Sequence, residues 1–336
     1  MAPSGINESD DNSELEEQLL HAEVAHEQAG RRLDQVLAEL FSDYSRSRLT
    51  QWVKQGQVEV DGEQRKPRDK VLGGEQIALR VKLERDQRFD PEPIPLDIVY
   101  EDEHLLVINK PAGLVVHPAA GHADGTLVNA LLNYAPEVEN LPRAGIVHRL
   151  DKDTSGVMVA ARSLVAHTSL VDQWQTRTMG REYEAVVVGT LTGGATVDAP
   201  ISRHPRERKK MAVVPSGKSA VTHYRLVERF AAHTHIRCKL ESGRTHQIRV
   251  HMAHVKHPLV GDPMYGGRLR LPKGTTEELR EALAAFNRQA LHARQLTLEH
   301  PETGETMSWE VPVPEDMVEL MAALRKHVQD LENHDF

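Results

Sequence analysis

The chain has 336 residues, 39% of them apolar, 27% charged and only 4% aromatic, with a formal net charge of −9. That length suits two soluble domains with packed cores better than one, and no apolar run approaches the ~20 residues of a membrane span. The polar, acidic N-terminus argues against a secretory signal, and a lone cysteine, Cys238, suits a reducing, cytoplasmic setting.

The charge is uneven. Residues 1–30 carry eight acids and no Lys or Arg, residues 315–336 carry a net −4, and the body between them is mildly basic at +3. This pattern is compatible with a nucleic-acid partner, and equally with an acidic tail that only aids solubility. A flexible acidic tail is expected over residues 1–28.

Residues 29–81 read as a small α/β unit. Leu33, Val36, Leu37 and Leu40 keep the i, i+3, i+4, i+7 period of a helix. Ser45 is a candidate cap for a second helix with Leu49, Trp52 and Val53 inward. Residues 57–60 alternate like a strand and end in the turn pair Asp61-Gly62, and Gly73-Gly74 precedes a strand from Gln76 to Val81. Pro91, Pro93 and Pro95 then predict an extended linker over residues 82–95.

A larger domain is expected over 96–320, with a C-terminal helix and tail over 321–336. Strands are predicted at 96–100, 105–109, 182–189, 219–227, 235–240 and 295–298. Helices are predicted at 127–134, 164–176, 245–252 (a strand being the competing reading), 276–287 and 315–330. Strands outnumber helices and do not alternate with them as in a doubly wound sheet, so the fold class is α+β.

The stretch Gly145–Val159, GIVHRLDKDTSGVMV, sets His148, Arg149 and Asp151 between two apolar flanks, Ile146–Val147 and Val157–Val159, that read as core strands. Charges withdrawn from water there must be paired or must work. The residues alone leave both readings open. Asp151 could form a buried ion pair with Arg149, or it could be an ionised carboxylate aimed at an anomeric carbon. Asp153 sits in a turn-like Asp-Thr-Ser-Gly, so no second carboxyl presents itself as a general acid. A single carboxylate suits a leaving group that departs without a proton, such as uracil linked through its ring nitrogen.

Other chemistries fail on pattern. His-Arg-Leu-Asp lacks the Gly-rich loop and Asp-Phe-Gly that accompany a kinase His-Arg-Asp, and no P-loop occurs. His246, His251, His254 and His257 match neither zinc-finger nor metalloprotease spacing, so no metal is expected.

HRLDKDTSG (His148–Gly156) resembles the signature of the RluA-type pseudouridine synthases. Three more segments resemble that family in order: NKPAGLVVHP (Asn109–Pro118), REYEAVVVG (Arg181–Gly189, with Arg181 where Lys is usual) and GRTHQIRVHMAHVKHPLVGDPMYG (Gly243–Gly266). Residues 31–79 resemble an S4 RNA-binding domain. The resemblance implies a small S4-like α/β domain joined to a catalytic domain with a mixed, mainly antiparallel sheet. It implies isomerisation of uridine to pseudouridine in 23S rRNA, at the helix 69 stem-loop, with the base flipped out of its stack.

Asp151 would attack the ribose or assist its deprotonation, Tyr183 would stack on the base and help remove the C5 proton, and Arg249 would pair with Asp151, Arg244 being the second choice. Substrate-binding candidates are His148, Arg149, Thr154, Arg244, His246 and Lys110. RNA-binding candidates are Arg31, Arg46, Arg48, Lys54, Arg65 and Lys66, with the basic run 204–210 adding phosphate contacts. The implied enzyme needs no cofactor and works as a monomer on RNA, with no DNA or membrane partner. The alternatives are a non-catalytic S4-type ribosome-assembly factor, or a synthase acting on another rRNA or tRNA uridine.

Overall fold

A computed structural model of the chain describes residues 17–41, 46–82, 89–118, 124–207, 209–267, 271–272 and 274–334. It divides into two compact units, residues 1–88 and 89–336.

In the first unit the elements are β1 (Glu17–Glu23), α1 (Leu33–Leu40), α2 (Arg46–Lys54), β2 (Val58–Val60), β3 (Glu63–Gln64) and β4 (Gln76–Lys82). The sheet runs β1-β4-β2-β3. Leu33, Val36 and Leu37 of α1 meet Leu49, Trp52 and Val53 of α2 over Val58, Val60, Ile77 and Leu79. Asp61 and Gly62 both take positive φ, which makes the two-residue β2–β3 turn match the twist of its strands. Ser45 lies outside the described residues.

The tail expected over residues 1–28 does not hold over the described part, residues 17–28. All seven residues of β1 pair antiparallel with β4. Leu20 and Ala22 turn partly inward, Val24 is fully buried, and Leu19, His21 and Glu23 face out. Glu23 occupies an outer position of a half-buried edge strand, so charge helped to conceal a period-2 pattern.

The second unit contains β5 (Ile98–Glu101), β6 (Leu105–Lys110), α3 (Leu127–Tyr134), β7 (Ser155–Ala161), α4 (Leu164–Thr176), β8 (Gly180–Val188), β9 (Ala195–Asp198), β10 (Ile201–Arg203), β11 (Met211–Val213), β12 (Val221–Arg229), β13 (His233–Leu240), α5 (Gln247–His254), α6 (Glu277–Ala285), β14 (Leu291–Glu299), β15 (Thr306–Glu310) and α7 (Glu315–His334). Nine strands form one sheet in the order β5-β6-β7-β14-β8-β13-β12-β9, with β15 also on β14. Only β7 and β14 pair in parallel, and α5 is a helix.

The sheet is covered on both faces. Leu106, Ile108, Met158 and Ala160 pack into one core, while Leu105, Val107, Val157, Val159 and Ala161 pack into the other. Every residue of β7 is therefore buried, and from Gly156 on its sequence reads as an unbroken apolar run. Gly156 permits the β7–β14 approach: its φ is +120°, and a Cβ there would fall 2.1 Å from the Ala293 carbonyl oxygen.

Two expectations change here. Ile146 and Val147 are not a strand; Ile146 makes a single bridge to Ala160 after a 3₁₀ turn. The C-terminal helix expected over 315–330 is α7, whose Met317, Leu320, Met321 and Leu324 pack with Leu279, Leu283 and Phe286 across the expected boundary at residue 321.

Candidate active site

The loop before β7 carries Asp151 and is braced from below. Lys110, at the end of β6, is fully buried and donates from Nζ to the carbonyls of Pro111 (2.7 Å), Leu114 (2.9 Å) and Lys152 (3.0 Å). Burial pushes its pKa down to about 7, while the three acceptors match the three donors of an ammonium. The Gly113 amide also donates to the Lys152 carbonyl, and the Thr154 amide closes a turn onto the Asp151 carbonyl. Thr154 is itself buried, its hydroxyl accepting from Gln289 Nε2 at 3.0 Å.

Above this loop, α5 presents Arg249. Its Nη1 donates to Asp151 Oδ2 at 2.9 Å. Its Nε and Nη2 donate to both oxygens of Asp262 at 2.7 and 3.0 Å. Burial works against the Arg249 charge, but the Asp262 hydrogen bonds and the two carboxylates outweigh it and hold the guanidinium pKa above its ordinary value. Burial likewise opposes ionisation of Asp262; the Arg249 bonds and the amides of Tyr265 and Met264 overcome it and hold that carboxyl below the usual range. Asp151 thus pairs with Arg249, not with Arg149. His246 opens α5 in a left-handed conformation, with Nδ1 2.8 Å from the Tyr265 hydroxyl and Nε2 3.8 Å from Asp151 Oδ1.

Tyr183 enters from the middle of the sheet. On β8 it lies between Cys238 of β13 and Ala293 of β14, both buried beside it. Its hydroxyl has no hydrogen-bond partner among the described residues. Burial raises its pKa, the Arg181 cation pulls against that, and Asp151 adds to it, so the ring stays a neutral phenol at pH 7.

Asp151, Thr154, Tyr183 and Arg249 line one cleft of about 640 Å³, mouth included, together with Arg149, Arg244, His246, Trp174, Arg181, Leu240, Ile248 and Leu291. Arg149 is exposed at this cleft and Arg244 half-buried, its Nε donating to the Ser219 carbonyl at 3.2 Å. Two sequence candidates lie elsewhere. Lys110 does not line the cleft and acts on it through the Asp151 loop. His148 is buried and stacks on Trp174 (ring centroids 5.2 Å), its Nε2 accepting from the Val159 amide. Burial, with Arg181 nearby, drives its pKa down to about 3, so it serves as a neutral packing group.

The sequence reading gave no role to Trp174, nor to Asp262 and Tyr265, although the last two lie within the Gly243–Gly266 segment. Asp262 is 13 residues from its partner Arg249, a separation with no helical or strand period. Of the other histidines, His251 is fully buried against Thr222 and the Ala199 carbonyl, and His257 meets the Val188 carbonyl.

In the first unit Arg31 forks onto Glu39. Arg46 and Arg32 both hold buried Asp34, and Arg65 donates to buried Glu75. Lys54 and Lys66 are exposed. The Arg48 side chain lies outside the described residues.

The profile described as RNA pseudouridylate synthase matches residues 104–254, and the S4 domain profile matches residues 31–77. Ribosomal large subunit pseudouridine synthase D of Escherichia coli strain K12 is 58% identical over 316 residues, 94% of this chain and 96% of that one. The protein of the same description from Pseudomonas aeruginosa is 59% identical over 305 residues, 91% of this chain and 95% of that one. This chain belongs to the RNA pseudouridylate synthase family. The solved structure of Human RNA Pseudouridylate Synthase Domain Containing 4 superposes with a TM-score of 0.56 at 27% identity, over 68% of this chain and 93% of that one. The protein is an RNA pseudouridine synthase with an N-terminal S4 domain and an α+β fold.

Proposed function

We propose that this synthase isomerises uridines of 23S rRNA at the helix 69 stem-loop, with Asp151 acting on the ribose of a flipped nucleotide. The observation that carries the chemistry is the Arg249–Asp151 bond of 2.9 Å at a half-buried carboxylate lining a cleft. Arg249 pairs with the Asp151 carboxylate and fixes its direction. Tyr183, on the floor, offers a ring face for the uracil and a free hydroxyl for the C5 side. The base has only to leave, rotate and rejoin through C5, so the residues that matter are those that hold it. Loop uridines are already unpaired, which lowers the few kcal/mol that flipping costs.

The ribosomal target rests on the large-subunit relatives and the S4 domain. Arg149 and Arg244 at the cleft, with exposed Lys54 and Lys66 in the first unit, supply cations for phosphate. The residues proposed to meet substrate are Arg149, Thr154, Arg244 and His246, besides Asp151, Tyr183 and Arg249. The test is to map pseudouridines by carbodiimide labelling in rRNA from a deletion strain. Positions lost on deletion and restored by the wild-type gene identify the target. Loss confined to tRNA would overturn the ribosomal assignment.

A further inference from the structure

One wall of the cleft holds a cation that the pairing of Asp151 with Arg249 does not use. Arg181 is 6% exposed, yet among the described residues no carboxylate lies within ion-pair distance of it. Its Nε is buried without an acceptor. Its guanidinium carbon sits 4.3 Å over the Trp174 ring, and both side chains line the cleft. Gly243 makes room for this stack, since a Cβ there would fall 2.6 Å from Arg181 Nη1 and 2.7 Å from Trp174 Cζ2. Arg181 is two residues before Tyr183 on β8, so both side chains leave the same face of the strand. A dry guanidinium without a counter-ion is costly to keep. The arrangement makes sense if the missing partner arrives with the substrate.

We infer that Arg181 is a further catalytic residue, which donates to a uracil carbonyl oxygen and compensates the negative charge the base acquires when its bond to ribose breaks. The inference rests on reading the cleft as the uridine site. As Asp151 attacks C1′, or removes a ribose proton, the C1′–N1 bond breaks and its electron pair stays on the uracil. The resulting imide anion spreads its charge over the carbonyl oxygens. When C5 joins C1′, the Asp151–C1′ bond breaks, or the ribose proton returns from Asp151; the C5 proton is then lost and N1 regains one, so atoms and charge balance. Arg181 transfers no proton; it is a preorganised donor where charge develops. Uracil is favoured over phosphate because Arg181 is buried beside Tyr183, whereas Arg149 is exposed. Burial also lowers the Arg181 pKa, as for a cation awaiting an anion.

The test is single-turnover conversion of a large-subunit rRNA transcript by the full chain carrying Arg181→Met or Arg181→Lys. Uridine and 5-fluorouridine transcripts are compared, the latter leaving as a more stable anion. Fluorine blocks the later C5 deprotonation, so the readout is loss of the N-linked nucleoside. The Met variant should be slower on uridine by about 100-fold, with RNA affinity within about threefold of wild type. Its deficit should shrink to about tenfold or less on 5-fluorouridine, and Lys should recover most of the rate. The ratio of rates on the two transcripts does not depend on the fraction of variant that folds. A deficit equal on both leaving groups, a Met variant within about threefold of wild type, or a loss confined to RNA affinity and its salt dependence would overturn the inference. If wild-type protein converts neither transcript, the reading of the cleft fails first, and that failure shows without any mutation.

Discussion

Asp262 holds two of the nitrogens of Arg249, and that grip leaves Nη1 of the same guanidinium to meet Asp151. A buried arginine shared between two carboxylates has only one orientation that satisfies both. Asp262 is anchored in turn by the amides of Met264 and Tyr265. The direction of the Asp151 carboxylate is therefore set from a loop far along the chain.

Removing Asp262 should harm both stability and rate. Asp262→Ala leaves a buried arginine with one partner and should destabilise by about 3–5 kcal/mol. Asp262→Asn keeps the shape, should cost less stability, and should still slow single-turnover conversion by about 10–100-fold. Thermal unfolding and rates measured together check this. A wild-type rate in a folded Asp262→Asn protein would show that Arg249 needs no second anchor.

Lys110→Met should act at a distance. It strips three carbonyls of their donor and should destabilise by about 1–3 kcal/mol or more. It should also loosen the Lys152 carbonyl, and with it the Asp151 loop. The expected outcome is a lower kcat with RNA affinity unchanged, read from single-turnover and binding titrations. Weaker RNA binding at an unchanged kcat would instead place Lys110 in contact with substrate.

Part of this was legible in the sequence. The four motifs put Asp151, Tyr183 and Arg249 in one cleft because their residue types and order are dense and unusual. The helical period of α1 was clear because its apolar residues fall on one face and Gln35 and Glu39 on the other. β1 was hidden because the acidic composition around it outweighed a short alternation in which Leu20 and Ala22 turn inward and His21 and Glu23 outward. Asp262 was hidden because its role depends on a turn meeting a helix, which no local period reports. Lys110 and His148 were placed at the substrate because charge in an apolar segment looks functional. The structure uses one to tie down three carbonyls and the other as a neutral ring against Trp174.

Acid should destabilise the fold through buried imidazoles. Burial holds His148 at about 3, and His233 and His292 at about 4, below the ordinary value near 6.5. Below pH ~6.5 the unfolded chain binds protons these sites refuse, so stability falls as pH drops toward 4. Each site contributes about 1.4 kcal/mol per pH unit across its window. Denaturant titrations between pH 7 and 4.5 should show the decline, and His148→Phe should flatten it. A flat profile in the wild type would mean these rings charge freely.

The S4 unit should contribute phosphate contacts. Lys54 and Lys66 are exposed, whereas Arg31 and Arg65 hold Glu39 and Glu75. Replacing both lysines with Gln should lower the slope of log K against log salt by about one per lysine, with little change in kcat. An unchanged slope would place the RNA away from these two side chains.

The most direct measurement of the central claim is pseudouridine formation by Asp151→Asn in a single-turnover assay on rRNA transcript, beside its RNA affinity. The substitution keeps the shape and removes the charge that Arg249 orients. The account predicts a folded protein that binds RNA within about threefold of wild type and forms no pseudouridine. Product at the wild-type rate would contradict it.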